Sequence, residues 1–320
     1  MQVNPPEALN AKRRAVLGQL SDMELRLLQV FKSVVDCGGM AAAELELNIG
    51  TSTVSRHVKD LETRLGLVLC RRGRAGFALT PEGQRVYEET LRLLASVEGF
   101  RNSIDDIHSR MGGRLAVAVF DKTASNPQAR IGEAIARFTE QAPDVHLQMH
   151  VASINAIERG VIDGAYQVGI IPAHRNSHSL LYAELFSETM LLYCGAQHPL
   201  FGADCAALTW DGLQAYHFAG LGYHSPNMAL SHSAGLPRRA TGFDQEAIAT
   251  LILSGKFLGF LPDHYAEAFE RRGQMQAVQP ALFRYSCRFV SLVRRSPQPS
   301  RAVQTFHDCL VRAHGKTRTP

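Results

Sequence analysis

Apolar positions along the chain fall into two regimes, helical as far as Met111 and strand-like after Gly113. Leu27, Leu28, Phe31, Val34 and Val35 recur at helical spacing and give a first helix its buried face. Ser21-Asp22-Met23-Glu24 before them is a capping box, with the hydroxyl accepting from the Glu24 amide and the carboxylate reaching back. Gly38-Gly39 ends that helix. A short helix over Met40 to Leu47, an Asn48-Ile49-Gly50 turn and a helix over Thr51 to Leu65 follow. On the last of these, Val54, Val58, Leu61 and Leu65 share one face and Thr51, Ser52, Ser55, Arg56 and Lys59 the other. Thr80 then caps a long helix with Pro81 at its first position, where a missing amide proton costs nothing. Along it Val86, Thr90, Leu93, Val97, Phe100, Ile104, Ile107 and Met111 alternate at four and three residues, a heptad seam about 45 Å long at 1.5 Å per residue. Such a seam predicts a homodimer; the plainer alternative is a helix lying across its own domain.

After Gly113, Leu115-Ala116-Val117-Ala118-Val119-Phe120 is an unbroken apolar run, as expected of a strand covered on both faces in a parallel sheet. A helix from about Gln128 to Gln141 precedes a strand from Asp144 to Ala152. There Val145, Leu147, Met149 and Val151 alternate with His146, Gln148 and His150, the pattern of an edge strand. A helix over Ala156 to Ile162 and a strand over Gln167 to Ile171 complete a β-α-β-α-β unit. Tyr182 to Phe186, Met190 to Cys194 and His217 to Leu221 predict further strands. A helix over Asp244 to Leu253, strands over Phe257 to Leu261 and Cys287 to Arg294, and a helix over Pro299 to Ala313 finish the chain. The alternation implies an α/β architecture.

With 320 residues, two or three folded units are expected, and 45% hydrophobic with 20% charged residues is ordinary globular composition. A net charge of +4, from 34 basic and 30 acidic residues, does not itself point to nucleic acid. Its distribution does: Arg56, Lys59, Arg64, Arg71, Arg72 and Arg74 stand against Asp60 and Glu62, a local excess suited to phosphate contacts. No apolar run approaches the roughly eighteen residues of a membrane span, and the first residues lack a charged start followed by an apolar core. No membrane partner and a cytoplasmic location are expected. Residues 1–20, with Pro5-Pro6 and Lys12-Arg13-Arg14, read as an N-terminal extension, a frayed tail rather than a DNA-contacting arm. Six scattered cysteines without a Cys-x-x-Cys indicate reduced thiols, not zinc or a disulfide framework.

Short hydroxyls and long cations on one helix face can bond to base edges and phosphates when the helix lies in a major groove, although any surface helix has one polar face. The order of elements decides between these. Phe31, Val34, Gly38, Ala43, Leu47, Val54-Ser55-Arg56, Leu61-Glu62, Leu65-Gly66, Leu69, Arg71 and Leu79-Thr80-Pro81-Glu82-Gly83 resemble the winged helix-turn-helix of LysR-type transcriptional regulators. The chain departs from that pattern at Gly39, at Ala43-Glu44 where paired alanines are usual, at Gly50 where a Ser or Thr opens the recognition helix, and at Cys70 where Phe precedes the wing. The resemblance implies promoter DNA as partner, contacted by Thr51, Ser52, Thr53, Ser55, Arg56, Lys59, Arg71, Arg72 and Arg74. It also implies a dimerising linker helix, with a tetramer and an RNA polymerase contact as further possibilities.

Gly160, Asp163-Gly164, His198-Pro199 and Gly259-Phe260-Leu261-Pro262 resemble landmarks of the same family's effector-binding region. The organisation implied is a winged helix-turn-helix over 21–83, a linker helix over 84–112 and a two-lobed periplasmic-binding-protein-like domain over 113–320. Lobe I would comprise 113–174 and 264–320 and lobe II 175–263, joined near Pro172 to Asn176 and Pro262 to Tyr265. Ligands in such sheets sit beyond the carboxyl ends of strands. Those places hold Asp121, Lys122, Thr123, Ser125 and Asn126, then Ser153, Ile154 and Asn155, then Gly222, Tyr223, His224 and Ser225, then Thr241, Gly242, Phe243 and Asp244. Each polar residue among them is equally a candidate helix cap or turn former. Hydroxyls with Lys122 and His224 suit a carboxylate; Asp121 beside Asp244 and Tyr223 suits an amine, so an amino-acid-like zwitterion is the preferred effector.

An enzyme reading finds no support in thirteen histidines without His-Glu-x-x-His, Gly-x-Ser-x-Gly or a phosphate-binding glycine motif, and no cofactor or metal is expected. His174 and His178 flank Arg175-Asn176-Ser177 and read as a solvated loop, not metal ligands. Two alternatives of other class remain: a small-molecule binding protein acting through protein contacts, and a thiol-based redox sensor. Against the second, His224-Ser225 stands where the peroxide-sensing branch of the family has Cys after Gly-His, and Cys194 and Cys205 lie earlier.

Overall fold

The computed structural model describes residues 20–73, 76–107, 111–223 and 226–315. The expected N-terminal tail, Arg74, His224 and Ser225 lie outside them, apart from Leu20. The chain forms two compact units, Met1–Glu98 and Gly99–Pro320.

In the first unit α1 (Asp22–Asp36), α2 (Met40–Leu47) and α3 (Thr51–Leu65) are followed by the hairpin of β1 (Cys70–Gly73) and β2 (Gly76–Leu79) and by α4 (Pro81–Ile107). The Ser21/Glu24 capping box is present in full. Val30, Val34, Met40, Ala43, Val54 and Val58 form one core cluster, and Leu27, Leu28, Phe31, Leu61 and Leu69 a second. Asn48 turns α2 into α3 with a left-handed backbone, φ 51°. Thr80 Oγ1 accepts from the Gly83 amide at 2.8 Å, the cap expected at the start of α4. Gly83 is needed there, because a Cβ would stand 2.0 Å from the Leu69 carbonyl oxygen. Met111 is not helical, so the seam is shorter than expected; its sulfur lies 3.6 Å from Thr305 Oγ1 in the second unit's core.

The second unit is built on one nine-stranded sheet. Its first half contains β3 (Arg114–Val119), α5 (Ile131–Gln141), β4 (His146–Val151), α6 (Ile154–Asp163) and β5 (Val168–Pro172), with β4 at the edge as the alternation predicts. β6 (Leu180–Gly195) crosses into the second half, which holds β7 (Phe218–Leu221), α7 (Pro226–Ser233), β8 (Arg238–Gly242), α8 (Gln245–Leu253), β9 (Leu258–Pro262), α9 (Asp263–Arg271) and β10 (Met275–Ala277). β11 (Arg284–Arg294) returns, and α10 (Arg301–Ala313) packs on α5, Phe138 against Phe306 at 5.2 Å. The sheet order is β4-β3-β5-β11-β6-β9-β7-β8, with β10 beside β6.

Two expectations change. The segments read as separate strands at Tyr182 to Phe186 and Met190 to Cys194 are one strand of 16 residues. The polar interval Ser187-Glu188-Thr189 does not break it, because Ser187 and Glu188 keep their antiparallel partners Arg288 and Cys287. The crossings between halves are therefore strand crossings. Before the Arg288/Val290 register shift β11 pairs with the β6 segment that borders β9, and after it β11 runs between β6 and β5. With that, α9 and β10 join the second half, where Met275, Gln276 and Ala277 pair with β6.

Candidate DNA-binding face and effector cleft

The buried stripe of α3, Val54, Val58 and Leu61, turns Ser52, Arg56 and Lys59 outward, all exposed. Thr51, Thr53 and Ser55 are half-buried at its start. Gly50 is the N-cap and has no side chain to accept an amide. Glu44 fills that role from α2: its carboxylate accepts from the Thr51 amide at 3.2 Å and from the Thr51 hydroxyl. The two departures from the family pattern are thus one device, an acceptor moved from the N-cap to the preceding helix. It lies at the helix terminus and is not buried in the helix-helix contact, where a methyl is usual. Arg64, counted above with the phosphate-facing cations, is instead paired with Glu24 of α1. Glu62 pins the entry to the wing through the Leu69 and Cys70 amides at 2.8 and 3.3 Å. Arg71 is exposed on β1, and Arg72 stands opposite Phe77 in the hairpin.

In the second unit, β3 ends at Val119, and Lys122 (φ 61°) turns the chain so that Asp121 and Lys122 face the start of α8. A cavity of about 440 Å³ lies there, lined by Phe120, Asp121, Lys122, Val151, Ala152, Ser153, Phe243, Asp244 and Glu246. Asp121 Oδ2 accepts from the Gln245 amide at 2.7 Å, so this carboxylate already occupies the anion seat at the α8 N-terminus. Its other oxygen is buried without a hydrogen-bond partner, as is Gln245 Oε1. Lys122 pairs with Glu246 and lies 4.7 Å from the centroid of the Tyr265 ring, whose hydroxyl donates to Glu246 at 2.8 Å. Asp244 caps α8 through the Ala247 amide at 2.7 Å. Burial, with Asp244 nearby, pushes the Asp121 carboxyl up to about 6 despite the Gln245 hydrogen bond.

The structure therefore brings together Asp121, Lys122, Ser153, Phe243 and Asp244 of the expected set. The others do not line this cavity. Thr123 is buried, Ser125 Oγ stands 2.9 Å from His264 Nδ1, Ile154 belongs wholly to the core, and Thr241 is exposed on β8. Gly222 leaves room for Phe243, whose ring would lie 2.6 Å from a Cβ there. Tyr223 is buried with its ring 6.3 Å from Phe120, and Asp121 and Asp244 add to burial in raising its phenol. Gln245, Glu246 and Tyr265 were missed; the one signal for Glu246 was the need of Lys122 for a counterion.

His174 is not solvated. Its side chain is 1% exposed, with Nε2 3.6 Å from Glu158, which Arg175 also holds at 2.7 Å, while His178 is exposed. Among the described residues no group of three metal-ligating side chains is placed to hold an ion. All six cysteines are free. Burial pushes the Cys194 thiol up to about 12 and also raises Cys287 and Cys309, the opposite of what a reactive thiolate needs. No helix among the described residues is long and apolar enough to cross a membrane.

Comparison with known proteins matches this layout. The family model described as the bacterial regulatory helix-turn-helix protein, lysR family, covers residues 25–84, and that of the LysR substrate binding domain covers 108–315. The transcriptional activator BauR of Pseudomonas aeruginosa is 37% identical over 299 residues, 93% of this chain and 98% of BauR. Full-length CbnR bound to its target DNA aligns with a TM-score of 0.60 at 21% identity, over 90% of this chain and 99% of that one. A second CbnR structure aligns at 0.62 and 20%, over 91% and 99%. The family consists of transcriptional regulators rather than enzymes. The chain is a member of the LysR family of bacterial transcriptional regulators, with a DNA-binding helix-turn-helix followed by an effector-binding domain.

Proposed function

We propose that this regulator binds promoter DNA as a homodimer through α3 and the β1–β2 wing, and is switched by a small molecule bearing an ammonium group that Asp121 receives. The observation carrying the effector class is the buried acceptor without a partner, Asp121 Oδ1, on a residue that lines the cavity. A buried acceptor left unpaired is costly, and an ammonium donor satisfies it. A lone carboxylate is poorly served: the α8 N-terminus is taken by Asp121, and Lys122 by Glu246. On a zwitterion, the acid group has the N-terminus of α6, where Ser153 caps without using its side chain. Phe120, Val151 and Phe243 flank the space between.

Thermal-shift titration of the full chain with three matched probes tests this: an ω-amino acid, the alkylamine without its carboxylate, and the carboxylate without its amine. Stabilisation by the two amines, lost in Asp121→Asn, is expected; stabilisation by the carboxylate alone overturns the amine assignment. For the DNA half, fluorescence anisotropy with DNA from upstream of its own gene should give salt-sensitive binding that weakens on Arg56→Ala. Salt-insensitive binding blind to sequence would favour a protein-contact role instead. BauR is named an activator, and activation, with RNA polymerase as further partner and the cytoplasm as location, is the direction proposed here.

A further inference from the structure

A second cavity, of about 350 Å³, lies on the β6 crossing between the two halves of the sheet. One wall is a strand face, Thr189, Leu191 and Tyr193 at alternate positions of β6; the other is a helix face, Asp263, Glu267 and Glu270 of α9, four and three residues apart. Loop residues Asn126 to Gln128 close it from the first half. Glu188 adds a fourth carboxylate, 4% exposed, and no lysine or arginine is among the described residues lining the space. Its one basic group, His264, stands 3.2 Å from Glu188. Three acids on one helix face repel one another, and among the described residues only Glu267 of them has a cation partner, the outward-lying Arg271.

An acidic wall alone is no site, but Tyr193 adds an independent observation. Its side chain is fully buried, its hydroxyl has no hydrogen-bond partner, and the charges bearing on it are Glu270 and Asp263 of the same cavity. The phenol makes no hydrogen bond in either direction, and its oxygen lone pairs are open to an ammonium donor. No three of these groups converge closely enough to hold a metal ion. The acceptors are instead strung along two turns of α9, which suits an elongated cation with several separated donors.

We infer that this crossing cavity is a second ligand site, for an aliphatic di- or polyamine, distinct from the effector cleft. A bound polyamine bridges the Asn126 to Gln128 loop of the first half to α9 of the second, across the strand segment where the halves exchange. It therefore biases the same movement that a cleft ligand uses, from the other side of His264 and Tyr265.

Calorimetric titration of the full-length protein with spermidine, free of DNA, tests the site. Asp121→Asn removes the cleft's own ammonium acceptor, and spermidine should still bind this variant, which serves as the background for the substitutions that follow. Glu267→Gln with Glu270→Gln should weaken binding at least tenfold. Tyr193→Phe should weaken it several-fold without lowering the melting temperature, because the buried hydroxyl it removes has no partner to lose. That variant keeps the test decisive if the double substitution fails to fold. No binding by the wild type, binding unchanged by both sets of substitutions, or binding lost in Asp121→Asn alone would overturn the proposal.

Discussion

Asp121 concentrates the chemistry of the cleft in one side chain. Its carboxyl titrates near 6, against 3.8 for an ordinary aspartate, because desolvation outweighs the Gln245 hydrogen bond. The folded state therefore holds this proton more tightly than the unfolded state, so its contribution to stability falls as pH rises from about 4 to 6 and is lowest above that. The cost at neutral pH is on the order of 2–3 kcal/mol. In chemical denaturation across pH 4–7, wild type minus Asp121→Asn should show that slope. An amine that stays protonated over this range selects the ionised carboxylate, so its affinity should move the opposite way, roughly tenfold weaker at pH 5 than at pH 7 by titration calorimetry. An affinity flat across pH 5–7 would remove Asp121 from the contact. This residue was legible in the sequence because it ends an apolar strand. Its partners were not, since Gln245 and Glu246 come from a helix 124 residues further along the chain and only folding sets them opposite Asp121 and Lys122.

At the scale of elements, α3 depends on an acceptor it does not own. Glu44→Ala leaves the Thr51 amide and hydroxyl without that partner, and a lost cap of this kind costs about 1 kcal/mol. Gly50 is extended at φ −60°, ψ 147°, and nothing lies within 4 Å of a Cβ added to it, so serine fits there as an N-cap. Gly50→Ser in the Glu44→Ala background should recover most of the loss, whereas in the wild type it should gain little; a double-mutant cycle by denaturation reads this coupling. Gly83→Ala should cost about 1–3 kcal/mol, because its Cβ meets the Leu69 backbone rather than a side chain able to move. These elements were readable as elements: the helical stripe of Val54, Val58 and Leu61 is buried as its spacing implied. The failures have a common cause. β6 was split in two at Ser187-Glu188-Thr189 because a polar interval ordinarily marks a turn, yet here it lies where the strand passes between the two halves. β8, Arg238–Gly242, carries no apolar alternation because it is the far edge of the sheet. Patterns that report burial are silent at a crossing and at an edge strand that, unlike β4, carries no apolar alternation.

For the whole molecule, the question is what covers the later part of α4. Val86 and Leu93 of the heptad seam pack onto the Leu27, Phe31 and Leu61 cluster of their own unit, and Thr90 is 2% exposed, so this stretch is already occupied. Further along, Phe100 is 67% exposed and Ile104 38%, one turn apart on the same face. Large apolar side chains left uncovered at that spacing suit a partner helix, and in the proposed homodimer a second α4 supplies one by symmetry. Phe100→Asp with Ile104→Asp should therefore give monomers in sedimentation velocity while leaving the melting of the fold intact, because neither side chain belongs to a core cluster. The consequence reaches the DNA. Two recognition helices held on one dimer read two half-sites, the second at an effective concentration that multiplies affinity by about 10²–10⁴. The same double substitution should then lower operator affinity by a factor in that range and leave binding to an isolated half-site unchanged. A dimer that survives it would return α4 to the plainer role of a helix laid across its own domain, and the half-site comparison would show no difference.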